Sequence, residues 1–261
     1  MKNDFFNYIL TDKIKNFIEN ATLENINIGC SASQVIKVEK NEKKYFLKIA
    51  DKGLLTKEYN ALKWLDDKLS VPRIFMYEVT DNIEYLITES MSGEMICSEK
   101  NLKRPDEVLT YLKDAFERLY LIDIETCPFD VSLEYKLSLV EKNVTEGLIK
   151  DEDLKPETLE KFGSTYNLLK YLQDNKFNED LCFSHGDTSL PNVFVNDNGF
   201  TGFIDVGECG IADKWFDLAI CEKSIKRNFG EEYINKFYEI LGIIPDRKKL
   251  DYYLLMMELY L

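Results

Sequence analysis

The sequence predicts an α+β chain of two lobes, a small β-rich one followed by a larger, mainly helical one. Three observations predict it. The first third alternates apolar and polar residues in paired runs around one helical segment. From Pro105 onward the apolar spacing turns helical. One strand–turn–strand segment, 181–205, interrupts those helices and opens on the chain's single histidine.

The elements follow in order. Gln34 to Glu39 alternates, Asn41-Glu42 can turn, and Lys44 to Ala50 runs back, which predicts a hairpin. Thr56 to Leu69 has helical spacing, with Leu62, Leu65 and Leu69 on one stripe. Arg73 to Thr80 and Ile83 to Glu89 predict a second hairpin around Asp81-Asn82. A linker around Thr88 to Glu94 divides the chain into lobes of residues 1–92 and 93–261. Pro105-Asp106-Glu107 opens a helix, because proline is tolerated in the first turn and acidic residues suit its dipole. Further helices are expected near 132–149, 156–174, 213–227, 231–241 and 246–259. The polar run 150–157 reads as a solvated loop or as an acidic rim that attracts amines.

Composition narrows the function. With 261 residues and a formal net charge of −14, the chain is a poor partner for nucleic acid or an anionic membrane surface. The same charge allows a cationic small molecule to be steered in. No apolar run reaches the length of about 18 residues that a membrane helix needs. The N-terminus mixes Asp12, Lys13 and Lys15 into its apolar residues, so no signal-peptide core is expected. Cys30, Cys97, Cys127, Cys182, Cys209 and Cys221 are scattered, with no C-x-x-C pair, as in reduced cytoplasmic proteins without a zinc site.

The chemistry concentrates in two motifs. His185-Gly186-Asp187-Thr188-Ser189-Leu190-Pro191-Asn192 reads H-x-D-x-x-x-x-N, and Asp205-Val206-Gly207 reads D-x-G. Asp and Asn at those offsets behind one histidine arise by chance about once in 400, and D-x-G alone is common turn chemistry. The hairpin between them, Val193-Phe194-Val195 to Phe200-Thr201-Gly202-Phe203-Ile204, is what binds the motifs into one signature. It matches the phosphoryl-transfer grammar of kinases. There the first Asp orients the attacking hydroxyl, and the Asn and second Asp hold Mg²⁺ through hard oxygen ligands.

Two N-terminal residues extend the pattern. Glu58 falls on the apolar stripe of its helix, where a carboxylate needs a partner. Lys48, the one basic residue in Tyr45-Phe46-Leu47-Lys48-Ile49-Ala50, is the candidate. Its alternative is an outward strand position beside Phe46 and Ala50. Gly29-Cys30-Ser31-Ala32-Ser33 is small enough for backbone N–H groups to approach phosphate. Tyr85 to Ser90 would run into a hinge whose backbone reads the base. No G-x-x-x-x-G-K-[ST] loop competes.

Phe183 to Asn192, Gly202 to Gly207 and Ala212-Asp213-Lys214-Trp215-Phe216-Asp217-Leu218-Ala219 closely resemble bacterial aminoglycoside 3′-phosphotransferases. The resemblance runs over nearly the whole chain. It implies a bilobal protein-kinase-like fold and transfer of the γ-phosphate of ATP or GTP, with Mg²⁺, to a sugar hydroxyl. Carried over by position, Asp187 is the catalytic acid group at the attacking hydroxyl, and Asn192 and Asp205 are the Mg²⁺ ligands. Lys48 binds phosphate with Glu58 as its ion-pair partner, Ser31 lies in the nucleotide loop, and Thr88 and Ser90 supply hinge contacts. Asp217 resembles the residue that props the catalytic loop.

The acceptor half departs from the family. Glu208 replaces a usual basic residue, and Arg227 and Met257 stand at substrate-facing acidic positions, while Glu258 and the aromatic Tyr260 remain. Glu258, Glu208, Asp151, Glu152, Asp153 and Glu157 are the acidic candidates for substrate amines. The leading expectation is a cytoplasmic aminoglycoside kinase conferring resistance, a monomer or weak dimer. The alternatives are a kinase of the same fold for choline, homoserine, a peptide antibiotic or a macrolide, and a nucleotide-binding module without catalysis.

Overall fold

The computed structural model describes residues 6–26 and 33–260. The chain forms two compact units. The first comprises the described part of 1–94 with Phe194–Asp197 and Thr201–Gly207, and the second comprises Met95–Val193, Asn198–Phe200 and Glu208–Leu261. The strand that leads into Asp205 therefore sorts with the N-terminal sheet.

That sheet is antiparallel and five-stranded. Its strands are β1 (Thr22–Ile26), β2 (Gln34–Lys40), β3 (Lys43–Asp51), β4 (Ile74–Val79) and β5 (Ile83–Glu89), in the order β1-β2-β3-β5-β4. The β2–β3 turn places Asn41 and Glu42 at φ 50° and 63°, the paired left-handed conformation that matches strand twist in a two-residue hairpin. Helix α1 (Asp12–Ile18), which the periodicity does not predict, covers one face of the sheet. Its Ile14 and Phe17 join Ile36, Val38, Tyr45, Leu47, Ile49, Tyr85 and Ile87 in one core. Each such fully buried side chain contributes about 1.5–3 kcal/mol.

Lys48 lies between Leu47 and Ile49 and so points to the opposite face, that of Phe46, paired with Val35 and Leu86 on either side. On α2 (Thr56–Leu65), Ala61, Leu62 and Leu65 are buried. The helix ends at Leu65, one turn short of the expected Leu69, which is buried after it.

Helices dominate the second unit. They are α3 (Pro105–Tyr120), α4 (Leu133–Thr145), α5 (Pro156–Phe162), α6 (Thr165–Asp174), α7 (Lys214–Asn228), α8 (Glu232–Leu241) and α9 (Arg247–Met256). The single helix expected over 156–174 is two, because Gly163 takes φ 76° and the Ser164 side chain accepts the Asn167 N–H to start α6. Along the chain, short strands β6 (Glu94–Met95), β7 (Leu181–Ser184), β8 (Val193–Asn196), β9 (Gly199–Phe203) and β10 (Gly210–Asp213) interrupt the helices, and most of β8 and β9 belongs to the first unit. Strand β10 pairs antiparallel with β7, Gly210 opposite Ser184.

Asp213, the last residue of β10, is fully buried and caps α7 by accepting the Trp215 N–H at 3.2 Å. Lys249 of α9 pairs with it at 3.3 Å and the Tyr253 hydroxyl donates to it at 3.2 Å. A buried carboxylate survives only with such partners. These fix the start of the helix that carries Asp217. Among the described residues, no helix is long and apolar enough to cross a membrane.

Candidate active site

The catalytic loop begins where β7 ends. The His185 N–H donates to Asp217 Oδ2 at 2.7 Å, and the Gly186 N–H to Oδ1 at 3.0 Å. The Thr188 hydroxyl donates to the Asp217 carbonyl at 2.6 Å. Burial pushes the Asp217 carboxyl above its ordinary value, against these donors and nearby positive charge. The loop is thus strapped to α7 at three points, and the Leu190 N–H adds a fourth by donating to Ser224 Oγ at 3.0 Å. Gly186 is required on two counts. Its φ is 86°, and a Cβ there would lie 2.2 Å from the Glu208 carbonyl oxygen.

This frame presents Asp187, which is exposed although His185 and Thr188 are buried. The Asn192 amide donates to Asp187 Oδ2 at 2.8 Å and to its carbonyl at 3.0 Å, and the Ser189 N–H donates to Oδ1 at 3.2 Å. The Asp187 N–H donates to His185 Nδ1 at 3.2 Å. The carboxylate is therefore held in one orientation before any acceptor arrives, which is the preorganisation a hydroxyl nucleophile needs. Because the nitrogen end of the Asn192 amide is turned to Asp187, its oxygen would serve a cation.

In the N-terminal unit Lys48 Nζ donates to both carboxylate oxygens of Glu58, at 2.8 and 2.9 Å, and also to Asp205 Oδ1. Burial alone would lower the Lys48 ammonium's pKa, but the two carboxylates outweigh it and hold it above its ordinary range. Lys48 therefore lies on the face of Phe46, away from the Ile36–Leu47 core, and is partnered there by Glu58 and Asp205. Asp205 stands at φ 57°, a left-handed position that a non-glycine residue occupies at a cost of about 1–2 kcal/mol. The turn is anchored by β9: the Phe203 N–H donates to the Ser70 carbonyl at 3.0 Å and Ser70 Oγ to the Thr201 carbonyl at 2.6 Å. Asp205 and Asn192 offer only hard oxygen donors. Among the described residues no three His, Cys, Asp or Glu gather at one point. Oxygen donors of this hard kind are the ones that suit Mg²⁺, which keeps several waters and takes phosphate oxygens.

The remaining expected residues are spread more widely. Ser31 lies outside the described residues. Thr88 is buried in β5, opposite Phe46 and Ile74. The Ser90 N–H is donated to the Lys44 carbonyl at 3.0 Å. That bond extends the pairing of β3 with β5 one residue past Glu89.

The Glu258 carboxylate accepts from the Lys155 N–H and the Thr158 hydroxyl, both at 3.0 Å, and pairs with Lys155 Nζ at 3.1 Å. It ties the C-terminus to the start of α5, where Glu157 is exposed. Asp151, which read as a free acidic group, accepts the Thr165 N–H at 2.7 Å and its hydroxyl at 2.9 Å. Glu208 is exposed. Burial first, and then the charge of Glu208, raises the Tyr260 phenol, whose ring lies 6.2 Å from Phe216. Arg227 is exposed on the last turn of α7, ten positions past Asp217 and about 15 Å along the axis. Sequence reasoning missed Thr188 and Ser224 as supports, since a hydroxyl in a loop or helix has no periodic signature.

Comparison with known proteins identifies the family. Residues 22–253 match the phosphotransferase enzyme family. An aminoglycoside 3′-phosphotransferase of Enterococcus faecalis is 32% identical over 260 residues, 96% of this chain and 98% of its own. One of Campylobacter jejuni is 35% identical over 89% of this chain and 94% of its own. The solved structure of an aminoglycoside 3′-phosphotransferase of type VIII matches with a TM-score of 0.82 at 28% identity, covering 95% of this chain and 98% of that one. The chain therefore belongs to the phosphotransferase enzyme family, among the aminoglycoside 3′-phosphotransferases.

Proposed function

We propose that the chain transfers the γ-phosphoryl group of ATP or GTP to a hydroxyl of an aminoglycoside, at the 3′ position, and so confers resistance. The observation that carries this reading is the Asp187 carboxylate, exposed yet fixed by Asn192 on a loop strapped to Asp217. In the proposed reaction the acceptor oxygen forms a bond to the γ-phosphorus while the bond from that phosphorus to the β,γ-bridging oxygen breaks. The hydroxyl proton passes to Asp187, and the nucleoside diphosphate leaves. A loose transition state asks little of a strong base, so Asp187 acts chiefly by orienting the hydroxyl.

Lys48, oriented by Glu58, would contact the phosphates, and Thr88 with Ser90 would line the base. Asn192 and Asp205 would hold Mg²⁺, which when bound neutralises phosphate charge. Adding phosphate to a polyamine drug reverses part of the charge on which its recognition depends.

The commitment of Glu258 within the fold favours a second reading, in which the same machinery serves another hydroxyl acceptor. The net charge and scattered cysteines support a cytoplasmic protein without nucleic-acid or membrane partners, and we propose a monomer or weak dimer. The test is Mg²⁺-dependent ADP or GDP release with kanamycin- and neomycin-class drugs beside choline, homoserine and a macrolide. Release with the aminoglycosides alone supports the reading, and release only with another acceptor replaces it with the second.

A further inference from the structure

Glu84 interrupts the apolar run Ile83-Glu84-Tyr85-Leu86-Ile87 of β5 and is 1% exposed. A carboxylate there is costly unless donors surround it, and they do. The Leu55 N–H donates to Oε2 at 2.6 Å, and the Thr56 hydroxyl and Tyr77 hydroxyl donate to Oε1 at 2.5 and 2.9 Å. Leu55 is the N-cap residue of α2 and Thr56 its first residue, and α2 has no side-chain cap of its own. Tyr77 comes from β4, and its ring stacks on Tyr59 of α2 at 3.9 Å between centroids, 10° from parallel. Within the sheet Glu84 lies opposite Ala50, two residues beyond Lys48.

We infer that Glu84 is a positioning residue for nucleotide phosphates, acting through Glu58 on Lys48. A serine or aspartate at position 55 would satisfy the end of α2 equally well. It would do so from the helix itself, leaving the helix free to turn or slide on the sheet. A cap supplied from β5 joins the first turn of α2 to the strand paired with β3, which carries Lys48. Glu58 is the third residue of that helix, so the clamp sets the height and rotation at which its carboxylate reaches Lys48. Displacements near 1 Å in such a support cost about a hundredfold in rate, which is the reason to clamp the helix at this end. The inference rests on the phosphoryl-transfer reading.

The test is a double-mutant cycle. Glu84→Gln and Tyr77→Phe are made in the wild-type chain and in Glu58→Gln. Each is assayed for Mg²⁺-dependent binding of a fluorescent ADP, for kcat/KM toward ATP and for Tm. In the wild-type background Glu84→Gln weakens ADP binding about tenfold. In the Glu58→Gln background it weakens binding less than about twofold, while the Tm falls equally in both. Equal losses of affinity in the two backgrounds would mean Glu84 acts on the fold alone and would overturn the inference. So would a fall in Tm with ADP affinity unchanged. Tyr77→Phe keeps the stacked ring and removes one donor, so it carries the same comparison if Glu84→Gln does not fold. Because ADP binding needs no acceptor, a failed acceptor screen counts against the drug specificity and not against Glu84. A wild-type chain that binds no ADP overturns both.

Discussion

Asp217 holds the backbone of His185 and its neighbour together: the His185 N–H reaches Oδ2 at 2.7 Å and the Gly186 N–H reaches Oδ1 at 3.0 Å. Both oxygens are used, so an amide cannot replace the carboxylate. Asp217→Asn turns an NH₂ group toward one of two N–H donors in a buried site, which should cost about 1–3 kcal/mol in urea unfolding. It should also lower kcat about a hundredfold through the loop it displaces. A destabilised variant with wild-type kcat would show that the strap serves the fold only.

Asp187 is the complementary case. It is exposed, so Asp187→Ala should change stability by less than about 1 kcal/mol, although Asn192 and Ser189 lose a partner. Acceptor-dependent ADP release should fall by a factor of about 10² to 10⁴, with nucleotide affinity unchanged. Single-turnover kinetics beside a binding titration separates the two, and retained turnover would remove Asp187 from the chemistry.

Lys48 and Glu58 form a half-buried ion pair, with 19% and 13% of their side chains exposed. Removing one partner strands the other charge, and removing both leaves only the more exposed Asp205 without its lysine. Lys48→Met alone should therefore destabilise the chain by up to about 3 kcal/mol. Lys48→Met with Glu58→Met should recover most of that loss while nucleotide binding stays weak. Recovery of binding along with stability would argue that the pair is structural.

The elements that carry these groups were legible where chemistry contradicted its local pattern. Lys48 sits in an apolar strand, Glu58 on an apolar stripe, and Asn192 just before the apolar run Val193-Phe194-Val195, and each proves to have a partner that explains it. Glu84 carried the same signal in β5. What could not be read was non-local. Strand β10 has four residues and exists only because β7, far back in the chain, pairs with it. Helix α1 has seven residues, too few for a period to show. The break at Gly163-Ser164 was readable in principle, as a C-terminal glycine followed by an N-cap serine. An unbroken apolar spacing on either side hid it. The acceptor side was legible least, because a surface carboxylate looks the same whether it awaits a ligand or, like Glu258 and Asp151, already serves the backbone.

Exposure separates Glu208 from Glu258. Glu208 is exposed, so Glu208→Gln should raise the aminoglycoside KM a few-fold with Tm unchanged. Glu258→Gln should lower Tm by loosening Lys155 and Thr158. With a formal net charge of −14, the KM for a polyamine acceptor should also climb as salt is raised from about 0.05 to 0.5 M, because the Debye length shrinks severalfold. Glu208→Gln should blunt that dependence, and an identical salt dependence in both proteins would exclude Glu208 from acceptor recognition.

Glu84 makes a prediction about acid stability that is separate from its effect on nucleotide. Burial would raise its carboxyl, but the Thr56, Leu55 and Tyr77 donors outweigh burial and hold it below the ordinary value of 4.5. The unfolded chain therefore takes up this proton more readily than the folded chain. The stability contributed by the ionised group is complete above about pH 4.5, and it is lost as pH falls through the lowered folded value. In urea unfolding at pH 7, Glu84→Gln should be less stable than wild type by about 2 kcal/mol. At pH 3 the gap should narrow, since wild type is then losing the same charge. A gap that is constant from pH 7 to 3 would mean that the lost stability comes from packing around the side chain and not from its ionised carboxylate.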